Sequence, residues 1–358
     1  MIALAGCIAA PSPIPSPGPS PSPSPNPSLS PSPSLEAGDD CAGRTLPSLA
    51  EDPGFGGANA FGHVLRIVCD FDTLPPAVRD RSPGTPGRAA AGDYLAGVLE
   101  DHGWRVTRQD FSGGDYLALE KGSAGAFIND ESCSSIDLER LRTLTFSNVV
   151  AESGTGPDLW ILMAHYDAKA EASSDPDPRN RSQPVPGAND GASGVGVWLE
   201  AARVLVARSG ATLRIVLVDG EDGFEDCHPL AGSLFHARSM DDDERSRIRG
   251  VYVLDMVGDP EAEFCYGHDA PELRGAIVES AAELRVAALA DAPDCTVIDD
   301  HTAFADLGVP ALDLIDFRGG AYPPYWHTLR DVPSRLSPDT LAGVGRVMVR
   351  ALGRLGAA

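Results

Sequence analysis

The chain has 358 residues, is 42% hydrophobic, and carries 52 acidic against 28 basic side chains, for a formal net charge of -24. The apolar fraction is that of a globular core and excludes a disordered chain, while the length admits one large α/β domain or two small ones. The negative charge excludes nucleic acid and anionic membrane as partner surfaces, and suits solubility or the attraction of cationic peptide amino termini.

Residues 1–10 read MIALAGCIAA, in which Leu4-Ala5-Gly6-Cys7 resembles the site where bacterial lipoprotein signals are cut and the cysteine is lipidated. The basic start and longer apolar stretch of a complete signal are missing, so we expect a truncated signal whose true start lies upstream. Residues 11–35 follow, almost wholly Pro and Ser, a composition that buries no core and extends as a semi-rigid spacer. Together these suggest an exported protein, lipid-anchored to the cell envelope through Cys7 and facing the periplasm or exterior, with residues 36–358 as a single catalytic domain. Six further cysteines, Cys41, Cys69, Cys133, Cys227, Cys265 and Cys295, permit disulfides whose pairing the sequence leaves open. None has metal-finger spacing, and no apolar run is long enough to span a bilayer.

Within that domain the pattern predicts a helix over Ala60–Phe71, a turn-rich loop over Ser82–Gly87, and a helix over Ala89–His102 that Gly103 ends. A strand over Trp104–Phe111 comes next. Two strongly apolar strands follow, Phe146–Ala151 and Leu159–Ala164, the second delivering His165 at its carboxyl end. Gly191–Ala207 is the clearest helix, with Asp190 just before it. Leu213–Val218 is a buried strand leading to Glu221-Asp222, Gly250–Leu254 a strand ending at Asp255, and Pro310–Ile315 a last strand whose downstream loop carries His327. Strands alternating with helices imply an α/β fold with a mainly parallel twisted central sheet flanked by helices on both faces. In such sheets ligands bind beyond the carboxyl ends of the strands, where these acidic motifs fall.

Taken singly, Asp190 reads as a helix N-cap, His165 as a core histidine and Asp255 as a turn residue. Together, His165, Asp190, Asp222, Asp255 and His327 supply the imidazole and carboxylate donors that zinc prefers, enough for one ion or for two sharing Asp190. Asp167 is placed to orient His165 if the strand continues. Glu221, beside a ligand and diverging from it, is the candidate general base.

These pieces resemble the superfamily of zinc-dependent aminopeptidases, which also contains the animal-type glutaminyl-peptide cyclotransferases. The similarity rests on His165-Tyr166-Asp167, the run from Gly187 to Gly194, Gly220-Glu221-Asp222, Leu254-Asp255-Met256, Asp300-His301-Thr302-Ala303-Phe304 and Trp326-His327-Thr328, covering roughly residues 80–350. It implies the phosphorylase/hydrolase-like α/β sandwich and action on peptide or protein amino termini. Glu221-Asp222 departs from the Glu-Glu usual in the aminopeptidases. Lys169 and the Asp299-Asp300 doublet are similar to the cyclases, as is Glu-Asp followed by Gly232-Ser233, which resembles bacterial cyclase-like relatives. The cyclase branch implies one zinc on Asp190, Asp222 and His327, with His165 nearby, Glu221 as the proton carrier, and Asp299 and Asp255 in its hydrogen-bond network. The aminopeptidase branch implies two zincs, His165 and Asp255 completing the second site. The cyclase is the preferred expectation, and Trp326 is expected either to wall the pocket or to pack beneath the loop.

Overall fold

A computed structural model describes residues 41, 49, 54–69, 80–120, 138–222, 230–268 and 270–358. The Cys7 motif, the Pro/Ser-rich residues 11–35, Cys133 and Cys227 lie outside the described residues.

The first elements are helix α1 (Gly57–Val68), helix α2 (Pro86–Asp101), strand β1 (Arg105–Ser112), helices α3 (Gly113–Glu120) and α4 (Leu138–Thr143), and strands β2 (Thr145–Gly154) and β3 (Asp158–His165). Helix α5 (Ala192–Val204), strand β4 (Ala211–Val218), helices α6 (Ala231–Ser239) and α7 (Asp242–Ser246), and strands β5 (Ile248–Asp255) and β6 (Phe264–Gly267) follow. The chain closes with helices α8 (Pro271–Leu284) and α9 (Ala287–Ala290), strand β7 (Asp294–Cys295), helix α10 (Thr302–Ala305), strand β8 (Ala311–Asp316) and helix α11 (Pro338–Arg354).

Among the described residues the strands form one sheet in the order β1-β2-β4-β3-β5-β8-β6-β7. The four inner strands β4, β3, β5 and β8 are parallel, and the antiparallel strands β2 and β6 flank them. This is the mainly parallel α/β sheet expected. Alternation of side chains along a strand divides the core in two. Trp160, Leu162 and Ala164 of β3 join Val64, Leu95, Val195, Ile277 and Val347 on the face covered by α1, α2, α5, α8 and α11. Leu159, Ile161 and Met163 join Leu117, Leu141, Leu234 and Phe304 on the face covered by α3, α4, α6 and α10. Burial on both faces explains why β4 is buried at every position and closes in the unbroken apolar run Ile215–Val218.

Local signals set the helix starts. Pro86 occupies the first turn of α2 behind Thr85, whose hydroxyl accepts from the Arg88 N–H, and Ser337 caps α11 ahead of Pro338. Helix α1 starts three residues before the expected Ala60 and ends at Val68; Cys69 stands at its C-cap, bonded to Cys41, and Asp70 and Phe71 lie outside the described residues. A second disulfide joins Cys265 of β6 to Cys295 of β7. Helices α3, α4 and α6 to α11 and strands β6 and β7 go beyond the elements expected from the sequence. No helix among the described residues is long and apolar enough to cross a membrane.

Gly194 brings α5 against β5: a Cβ there would stand 2.1 Å from the Leu254 carbonyl oxygen. That contact fixes the height of the helix whose leading loop carries Asp190. We expect Gly194→Ala to destabilise the fold by about 1–3 kcal/mol through overpacking, read as a lowered midpoint in thermal denaturation.

Candidate metal centre

The carboxyl ends of β3, β4 and β5 deliver His165, the Asp219–Asp222 turn and Asp255 to one edge of the sheet. His165 Nε2 lies 3.1 Å from Asp190 Oδ1 and 3.2 Å from Asp255 Oδ1. His327 Nε2 lies 2.8 Å from Asp222 Oδ1 and 3.5 Å from Asp190 Oδ2. Two donor groups result, His165–Asp190–Asp255 and Asp190–Asp222–His327, and the potential ligand atoms within each lie within 4.8 Å of one another. Asp190 belongs to both, one oxygen facing each histidine.

The run from Gly187 to Gly194 is shaped by this junction. Gly187 has φ +62, a left-handed conformation that suits glycine. Asn189 accepts the Gly258 N–H at 2.8 Å and donates to the Tyr325 hydroxyl at 2.9 Å, so the Asp190 loop is tied to the segment beyond β5 and to the His327 loop. Gly191 is the N-cap of α5, and a Cβ there would stand 2.5 Å from His165 Nε2. The capping role open to Asp190 in the sequence is thus not the one it fills, because α5 has no side-chain cap.

His327 has φ +54, a conformation costing a non-glycine residue on the order of 1–3 kcal/mol. Its surroundings hold it there. The Ser174 N–H donates to the His327 carbonyl at 3.1 Å, the Leu329 N–H donates to buried Asp175 at 3.1 Å, and the Thr328 hydroxyl donates to the Tyr325 carbonyl at 2.7 Å. Trp326, half-buried, stacks on the His327 ring at 3.5 Å and on Tyr322 at 4.2 Å, and packs with Phe317 and Met256.

Glu221 is buried, its Oε2 3.9 Å from His165 Nε2, outside both donor groups. Burial, reinforced by Asp299, Asp222 and Asp300, pushes its carboxyl well above the usual range, against the pull of His165. Asp255 is raised well above its ordinary value by burial and by Asp190. Asp222 is held low despite burial by the His327 imidazole hydrogen-bonded to it, with His165 and Lys169 adding to the effect. Lys169 is itself buried and donates to the Asp222 carbonyl at 3.3 Å.

Asp167 Oδ1 lies 3.5 Å from His165 Nδ1, too long for a formed hydrogen bond, and its two oxygens accept the Glu221 and Asp222 N–H groups at 3.3 Å. Its hydrogen bonds therefore hold the main chain of the base and its neighbour rather than the histidine. Asp299 is buried but outside both donor groups; burial lifts its carboxyl to about 6 against the Asp300 N–H that bonds it.

Two residues to which the sequence assigned no role matter to the geometry. Asp331, fully buried, accepts the Asn189 and Asp190 N–H groups at 2.8 and 3.1 Å and so couples the His327 loop to Asp190. Arg81, also buried, donates to the carbonyls of Tyr166, Pro186 and Gly187. Spacing from His327 could point to Asp331; nothing local marks Arg81.

The residues fit a bound zinc ion. Asp190 Oδ2 and Asp222 Oδ2 are buried without a hydrogen-bond partner. The carboxylates of Asp167, Asp190 and Asp255 raise the His165 imidazole well above its ordinary value even though burial opposes its charge, so the cluster attracts a cation. Imidazole and carboxylate are the nitrogen and oxygen donors zinc takes.

The sequence profile of the family described as "Peptidase family M28" matches residues 148–352. A glutaminyl-peptide cyclotransferase-like protein of Bos taurus is 27% identical over 325 residues, covering 80% of this chain and 76% of that one. The crystal structure of Porphyromonas gingivalis glutaminyl cyclase superposes with a TM-score of 0.69 at 26% identity, covering 84% of this chain and 99% of that one. That of a leucine aminopeptidase precursor from Bacteroides thetaiotaomicron superposes with a TM-score of 0.66 at 26% identity, covering 86% and 98%.

The buried acids set a pH dependence for the zinc-stripped protein. Burial raises Asp299 to about 6, Asp331 to about 7 and Asp300 to about 8, each from an ordinary 3.8. The folded state therefore binds more protons than the unfolded one, and the stability from these groups is full below 3.8 and lost as pH rises to about 8. We expect the thermal midpoint of chelator-treated protein to fall between pH 5 and pH 8 and the increment on adding zinc to grow over the same interval.

Proposed function

The chain belongs to peptidase family M28, and from that membership we propose that it is a zinc enzyme acting at peptide amino termini, converting N-terminal glutamine to pyroglutamate with release of ammonia. The observation that carries this reading is buried Glu221 beside the Asp190–Asp222–His327 group, in a chain whose similarity to a glutaminyl cyclase spans 84% of its length.

Asp190, Asp222 and His327 would hold the zinc, with His165 and Asp255 available for a second ion. A bound zinc supplies Lewis-acid polarisation of the glutamine side-chain carbonyl. Glu221 accepts a proton from the α-amine as the nitrogen attacks that carbonyl and returns it to the departing ammonia. Burial, with the negative neighbours that add to it, raises its carboxyl and favours holding the proton between the two transfers. Asp255 and Asp299 maintain the acidic network around it, and Asp167 fixes its main chain. Trp326, with Tyr322, offers a flat apolar wall beside His327.

One observation favours a second reading, hydrolysis of the first peptide bond at a dinuclear centre. Asp190 presents an oxygen to each histidine, and Asp255 completes the His165 group at distances like those of the other. In that reading Glu221 takes its proton from the attacking water. In either, the enzyme works outside the cytoplasm, tethered through Cys7 and residues 11–35. The disulfides Cys41–Cys69 and Cys265–Cys295 support an oxidising compartment.

Incubation with a Gln-initiated peptide is expected to release ammonia and leave a cyclised amino terminus. Release of free amino acids from Leu- or Ala-initiated peptides without cyclisation, with two zincs per chain, would establish the peptidase instead. Glu221→Gln is expected to lower turnover by about 100- to 10,000-fold while zinc content holds; loss of zinc in that variant would make Glu221 a ligand rather than the base.

A further inference from the structure

Arg81 is a cation whose burial the proposed reaction does not explain. Its side chain is 1% exposed, and its three hydrogen bonds go to main-chain carbonyls on two separate segments. Nε donates to Tyr166 at 3.1 Å, next to His165; Nη1 donates to Pro186 at 2.8 Å and Nη2 to Gly187 at 2.9 Å, at the base of the Asp190 loop. The Arg81 carbonyl in turn accepts the Ala168 N–H at 3.3 Å. The fit is close, since a Cβ on Gly187 would stand 2.8 Å from Arg81 Nη2.

Burying a guanidinium is costly unless its nitrogens are hydrogen-bonded and opposite charge lies near. Each of the three nitrogens donates to a carbonyl, and acids lie around the group. Burial pulls its charge below its ordinary stability, and Asp331, Asp167, Asp222 and Asp80 act in the opposite sense. Asp331 is the acid that grips the Asp190 main chain, so the guanidinium and this carboxylate hold the same loop from two sides. A lysine could not replace the arrangement, because only the planar fork directs three nitrogens to three fixed acceptors.

We propose that Arg81 is the positioning residue of the metal centre: it sets the spacing between the strand end bearing His165 and the loop bearing Asp190, and thereby lets one aspartate face both histidines. The inference rests on the metal-centre reading but not on which reaction follows. Because Asp190 is common to both donor groups, release of its loop loosens both together.

The test compares Arg81→Lys and Arg81→Ala with wild type, using Val347→Ala, a core truncation in α11, as a control for lost stability. Zinc affinity is measured by chelator competition, the ligand field by the absorption spectrum of the cobalt-substituted protein, and kcat and KM with a Gln-initiated peptide. Both Arg81 variants are expected to lose about 10- to 100-fold in zinc affinity, with an altered cobalt spectrum and a fall in kcat exceeding any change in KM. Methylguanidinium added to Arg81→Ala is expected to recover part of the affinity, and Val347→Ala to keep the wild-type affinity and spectrum. Should Arg81→Ala fail to fold, Arg81→Lys, which keeps the charge, still decides the question. Wild-type affinity and spectrum in Arg81→Lys, or an equal loss in Val347→Ala, would overturn the proposal. Wild type that binds zinc without releasing ammonia would remove the cyclase reading and leave the Arg81 comparison intact.

Discussion

An excess of buried carboxylate at one edge of a parallel sheet is the constraint to which the rest of this structure responds. Asp167, Asp190, Asp222, Asp255, Asp299, Asp300 and Asp331 are all less than a tenth exposed, at or around the ends of β3, β4 and β5. Charge removed from water must be compensated nearby. Part of the compensation is local, from the N–H groups that bond Asp167 and Asp331. Part comes from His327, Lys169 and Arg81. Oxygens of Asp190, Asp222 and Asp300 are left without a hydrogen-bond partner, and those of Asp190 and Asp222 fit a metal ion.

The same edge explains why some of the least reactive residues are the most restricted. Gly191 allows the His165 ring against the start of α5, Gly194 lets the helix meet the Leu254 carbonyl, and Gly187 turns the chain under Arg81. Opposite them, a loop pinned through Asp175, Tyr325 and Asp331 keeps His327 in a left-handed conformation. Tyr325 completes that pin by donating to Asp259, which Arg318 also bonds. The chemistry is carried by a handful of donors; their alignment is carried by backbone approach and by hydrogen bonds that leave no sequence motif.

That division accounts for what could be read from the chain alone. β3, β4 and β5 were legible because burial on both faces gives apolar stretches, at Leu159–Ala164, Ile215–Val218 and Val251–Leu254, and His165, the Glu221-Asp222 pair and Asp255 were legible because each follows such a stretch. α2 was marked by its apolar spacing and by the Gly103 stop. α8 has its apolar positions diluted by alanine, Glu and Arg, whereas α11 carries Leu341, Val344, Val347, Met348 and Leu352 at helical spacing behind Ser337-Pro338 and was legible in principle. Asp190 resembled a cap until Gly191 was found in that place. The roles of Arg81 and Asp331 were hidden for another reason: their partners are main-chain groups about 85 to 142 residues away, and a backbone carbonyl or N–H has no signature in the sequence.

The stack of Trp326 on His327 has an optical consequence. Trp104, Trp160 and Trp198 are buried in the core, and the Trp104 and Trp198 indole N–H groups donate to main-chain carbonyls. Trp326 alone among the four tryptophans is half-buried with its ring 3.5 Å from a candidate metal ligand. Indole emission responds to charge and polarity close to the ring. The protein therefore carries an intrinsic fluorophore against the imidazole of His327, where filling of that position is visible as light without any label attached.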